Sequence, residues 1–115
     1  MSRKTPRDPV VVIYHVKPGA ERAIEPLLSR AWDTYLREGI VFSEPHVLVR
    51  TKEAGGARFI ETFAWRGYYA TEYPSEAVKT LLQQIQALCE SRGGALAVEF
   101  LSAEMFVPRI GESIK

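Results

Sequence analysis

Two side chains in this sequence carry proton-transfer chemistry at places where a strand would hold them: His15 and Glu61. A neutral imidazole at position 15 could take a proton from a phenol, because histidine titrates close to physiological pH. The same ring could instead be a half-buried histidine, bonded to a neighbouring strand or helix. Glu61 lies between Phe59 and Phe63 in the alternation of its segment, and a carboxylate desolvated among aromatics becomes a stronger base. Its other reading is an ion pair, with an arginine such as Arg50 on an adjoining strand or with a partner subunit. Tyr14, Phe59, Phe63 and Trp65, with the Tyr68-Tyr69 pair, offer an aromatic wall for a flat ligand, or else plain core.

The remaining reactive residues point to structure. Glu99 belongs to the last strand and reads as structural, although Val98, Phe100 and Ser102 compete with Glu99 and Leu101 for the inward face. His46 follows Pro45 at a strand start and reads as a solvated loop histidine. Cys89 falls on an apolar helical stripe, as an inert core thiol does; as the single cysteine it excludes an intrachain disulfide and a cysteine-based zinc site. The two histidines lie far apart with no ligand spacing, so no metal is expected. Gly55-Gly56 joins two strands and leads into no helix, so it is not a phosphate loop. No cofactor is implied.

The elements that must position these residues follow from period and punctuation. Arg58–Arg66 places Phe59, Glu61, Phe63 and Trp65 on one face and Ile60, Thr62 and Ala64 on the other, which calls for a central strand covered on both sides. Val10–Val16 has the same two-faced apolar character, and Lys17-Pro18-Gly19 ends it. Between Ala20 and Glu38 the period becomes helical, with Ile24, Leu27, Leu28, Ala31, Trp32, Tyr35 and Leu36 on one stripe, Pro26 near the start and Gly39 as the stop. Val47–Thr51 is a short strand joined to Arg58–Arg66 by a glycine hairpin, which makes the two antiparallel neighbours. Ser75 caps a second helix carrying Val78, Leu81, Leu82, Ile85, Leu88 and Cys89, stopped by Gly93-Gly94. A last strand is expected over Leu96–Phe106. Residues 1–9 and 107–115 read as tails around a single domain spanning 10–106.

Composition narrows the function classes. Of 115 residues 46% are hydrophobic and 25% charged, the balance of a globular domain. Fifteen lysines and arginines against 14 acidic residues give a net charge of +1, with no cationic excess to displace counterions from nucleic acid. The apolar runs are of strand length and the first residues lack a signal-peptide core, so no membrane span is expected and a cytoplasmic location is the default.

Strand, helix, strand, strand, helix, strand is the order of a ferredoxin-like α+β fold, a four-stranded antiparallel sheet with two helices on one side. The expectation is that the helices leave the Phe59, Glu61, Phe63 and Trp65 face open. So apolar a surface exceeds the roughly 300–600 Å² patch a monomer tolerates, and a second copy packed face to face would cover it, giving a homodimer.

The strand order, the Lys17-Pro18-Gly19-Ala20-Glu21 turn into an amphipathic helix and the Phe59-to-Trp65 strand together resemble the dimeric α+β barrel superfamily, in its antibiotic-biosynthesis monooxygenase-like branch. The likeness covers residues 10–106 and rests on pattern more than signature. It implies a cofactor-independent oxygenase acting on a small aromatic or quinol-type compound, with His15 or Glu61 as the base and Tyr14, Phe59, Phe63 and Trp65 at the substrate. A non-catalytic binding or dimerisation barrel is the alternative. Many members carry a glutamate two residues before the aromatic that ends the third strand, where this chain has Phe63, and a histidine on the second helix, where it has none between Tyr73 and Arg92. The haem-degrading branch uses an asparagine, a tryptophan and a histidine; this sequence contains no asparagine, which argues against haem.

Overall fold

The structure, a computed structural model, describes residues 7–67 and 72–104. Its elements are β1 (Arg7–Val16), α1 (Glu21–Glu38), β2 (Val47–Glu53), β3 (Gly56–Arg66), α2 (Glu76–Ala87) and β4 (Val98–Ser102). The four strands form one antiparallel sheet in the order β2-β3-β1-β4, with two helices, an α+β arrangement compatible with a ferredoxin-like fold. No helix among the described residues is long and apolar enough to cross a membrane.

Local chemistry explains the boundaries. Gly39 ends α1 in the left-handed region at φ 69°, its N–H returning to the last turn, a conformation that costs a residue with a Cβ more than glycine. Pro26 lies in the second turn of an unbroken α1. At α2, Ser75 Oγ accepts from the Val78 N–H at 3.2 Å and donates to Glu38 Oε2 at 2.8 Å, so one cap also ties the two helices together.

Register decides which residues share a face. Val10, Val12, Tyr14 and Val16 on β1 stand opposite Phe63, Glu61, Phe59 and Ala57 on β3, and Phe100 and Val98 on β4 join Val12 and Tyr14 on that side. Here the helices pack: Ile24, Leu28, Ala31 and Tyr35 of α1 and Val78, Leu81 and Ile85 of α2 complete one core with Phe59, Phe63 and Trp65. The expectation of an open aromatic face is therefore reversed. Both faces of β1 and β3 are apolar, and alternation separates them without saying which lies under the helices. The bulkier set fills the space between a helix layer and a sheet, where close packing demands volume.

Three boundaries also move. Arg7–Pro9, expected in a tail, extend β1 and pair with Arg66–Ala64. Helix α2 ends at Ala87, so Cys89 is not on its stripe; it bridges Val16, and Gly93-Gly94 forms the turn between the bridged Arg92 and Ala95. The last strand is confined to Val98–Ser102, and the rest of its expected span beyond Glu104 lies outside the described residues, as do Tyr68 and Tyr69.

Candidate functional site

On the helix side of the sheet, Glu61 is 3% exposed and fully engaged. Tyr14 Oη donates to its Oε1 at 2.6 Å, and His46 Nε2 lies 2.7 Å from Oε2. A carboxylate can only accept, so Nε2 carries the hydrogen, and Nδ1 has no partner among the described residues. The imidazole of His46 is stacked on Trp32 at 3.7 Å with 7° between planes, and Trp32 meets Phe63 edge-on. His46 is thus no solvated loop histidine: β2 delivers it and α1 holds it. Burial first, then the neighbouring Glu61 charge, pushes the Tyr14 hydroxyl well above its ordinary pKa, so Tyr14 remains a donor. Arg50, the anticipated partner of Glu61, reaches Glu25 instead at 3.3 Å.

The opposite side of the sheet carries a second polar cluster centred on His15. Its Nδ1 lies 2.6 Å from Glu53 Oε1 and its Nε2 2.7 Å from Glu99 Oε2. Two acceptors on two ring nitrogens require two hydrogens, so the ring is an imidazolium. Burial alone would lower its pKa; the hydrogen bonds to Glu53 and Glu99 outweigh burial and raise it. Arg92 continues the cluster, donating from one terminal nitrogen to Glu53 Oε1 at 2.9 Å and from the other to Glu90 Oε2 at 2.8 Å and the Val16 carbonyl at 2.7 Å. For Glu53, burial would raise the carboxyl, but His15 and Arg92 hold it below its usual range. Glu99, read as structural from its position on the last strand, closes this clamp.

His15 and Glu61 therefore face away from each other across the sheet and border no common space. Between β1, β4 and α2, however, a cleft of about 360 Å³ opens, lined by Asp8, Val10, Trp65, Val78, Leu82, Phe100 and Ser102, with Pro9 and Pro74 at its edge. It exists because two helices cover β1 and β3 but leave the edge strand β4 bare: Phe100 points to the helix side and is still 45% exposed. Of the residues anticipated at a substrate, Trp65 lines this cleft. Tyr14, Phe59 and Phe63 lie in the core beneath α1 and α2. Cys89 is buried, and burial raises its thiol to about 11.

Comparison with protein-family models, characterised proteins and solved structures gives no match. The site is thus read from its own geometry.

Sequence reasoning missed His46, Asp8 and Arg92. A signal existed for the first. Counting back from the Ala54-Gly55 turn pairs Glu53 with Gly56 and Leu48 with Glu61, which puts His46 one step from Leu48 on the face of Glu61. Asp8 was hidden by the assignment of residues 1–9 to a tail. Arg92 had no local signal, since it acts across three segments distant in sequence.

Proposed function

We propose that this protein is a homodimeric α+β barrel that binds a small, largely apolar aromatic compound in the cleft between β1, β4 and α2. The observation that carries the reading is the cleft itself: a half-open, largely apolar volume with an exposed Phe100 on its rim and Trp65 at its wall, of the size and lining usual for small-ligand sites. What supports the dimer is the sheet face that the helices leave uncovered among the described residues. Val11, Ile13, Ile60, Val47, Val49 and Leu101 share it by register, and Val47, Val49 and Leu101 are 52%, 44% and 45% exposed. A second sheet packed on this face would remove that apolar surface from water.

Methyl and indole chemical shifts on titration with naphthalene derivatives test the binding reading. Val10, Val78, Leu82 and the Trp65 indole should move while Trp32 does not, and Leu82→Trp, which fills the cleft, should abolish the response. Shifts confined to the opposite sheet face would refute it.

One observation favours catalysis as a second reading. The Tyr14–Glu61–His46 relay orients an imidazole as a general base is oriented, with a buried carboxylate fixing the tautomer. In that reading the chain is a cofactor-independent oxygenase, and His46 removes the proton that the sequence had assigned to His15 or Glu61. Oxygen uptake by metal-free protein with an anthrone or quinol, lost in His46→Ala and retained in His15→Ala, is the expected result; no uptake with any such compound removes the reading.

A further inference from the structure

Among the described residues, the cleft is apolar except at one end. There Asp8 stands across from Trp65 on β3, and Ser102 stands across from Val10 on β4, so the carboxylate and the hydroxyl are diagonal neighbours on one face of the sheet. Asp8 is half-buried, and its carboxylate has no hydrogen-bond or ion-pair partner among the described residues. Neither nearby arginine serves it. Arg7 and Arg66 alternate to the other face of the sheet; Arg7 donates to the Glu44 carbonyl at 3.1 Å, and both guanidinium groups lie over the Phe42 ring. An unpaired carboxylate beside apolar walls is costly to desolvate and is stabilised by a cation that brings its own donors. The Ser102 side chain, also without a partner among the described residues, supplies an acceptor for one more hydrogen.

From this geometry we infer that the ligand of the cleft is an aromatic amine bound as its ammonium ion, with the charged head on Asp8 and Ser102 and the ring against Trp65, Val78, Leu82 and Phe100. The inference rests on the cleft being a ligand site and adds the charge and polarity of the ligand. An ammonium can donate to both oxygen-bearing groups at once, a neutral alcohol offers one hydrogen, and a carboxylate is repelled.

Three probes of one shape, naphthylmethylamine, naphthylmethanol and naphthoate, separate the two levels of the proposal when titrated calorimetrically at neutral pH into the full chain. The amine should bind about tenfold more tightly than the alcohol, the worth of one charge-assisted hydrogen bond at a partly wet site, and naphthoate should bind weakest. Asp8→Asn should bring amine and alcohol to equal affinity, with the amide spectrum showing that the variant is folded; Ser102→Ala should reduce the amine's advantage by a smaller factor. Alcohol binding equal to amine, or a preference that survives in Asp8→Asn, overturns the charge assignment while leaving the cleft a binding site. Absence of binding by all three, with unmoved Val78 and Leu82 methyl shifts, overturns both.

Discussion

His15 shows how the setting of a residue that looks catalytic in sequence is decided in space. Held between Glu53 and Glu99, it has both ring nitrogens engaged, whereas His46, which looked inert, has a ring nitrogen without a partner among the described residues. The clamp makes stability depend on pH with a definite sign. Because the folded pKa of His15 is raised above 6.5, its contribution is complete below pH 6.5 and fades as pH rises through the folded value. Glu53 is lowered from 4.5, so its contribution is complete above pH 4.5 and fades as pH falls through the folded value. The cluster is therefore fully effective between about pH 4.5 and 6.5. Urea midpoints measured from pH 4 to pH 9, about two units beyond the histidine value on the alkaline side, should decline as the solution becomes basic. His15→Ala should abolish that alkaline decline and cost about 3 kcal/mol, the lower part of the range for a broken buried pair because both glutamates keep some contact with water.

The β2–β3 hairpin is the element on which this cluster depends. Glu53 lies two strands from β1 and reaches His15 over Gly56, its cross-strand partner, where no side chain intervenes. A Cβ at Gly56 would stand 2.9 Å from an Arg92 terminal nitrogen and 3.1 Å from the Val16 carbonyl, at φ +153°. Gly56→Ala should thus be destabilising by about 1–3 kcal/mol through backbone strain and loss of the Arg92 contacts, readable as a lower unfolding free energy with β1–β3 register intact in the amide spectrum. Unchanged stability would mean that Arg92 is not held there. This hairpin was legible from its glycines, as α1 was from its stripe and Gly39, and α2 from the Ser75 cap. Gly93-Gly94 was misread because a glycine pair after an apolar stripe looks the same as a helix stop and as a turn. What separates them is the pairing of Leu88–Glu90 with the end of β1, through Lys17 N–H to the Leu88 carbonyl and Glu90 N–H to the His15 carbonyl, a long-range contact invisible to periodicity.

At the scale of the molecule, the open sheet face proposed for assembly and the helix-side cleft proposed for binding lie on opposite surfaces. The proposed dimer predicts sedimentation at twice the chain mass. Val49→Asp, a charge placed in the middle of the exposed apolar face, should shift it to the single chain and leave the cleft titration unchanged. A wild-type chain that sediments as a monomer at micromolar concentration would remove the barrel from the proposal. Amino-acid order alone determined the succession of elements, the amphipathic helices, the central place of the Phe59–Trp65 strand and the surplus of apolar sheet surface, because period, caps and turns act over a few residues. Only the tertiary structure decided which face the helices cover, that Glu61 meets His46 and His15 meets Glu53 and Glu99, and that Asp8 ends a cleft. Those choices depend on strand register and on volume filled between layers, and both are set by contacts between residues far apart in the chain.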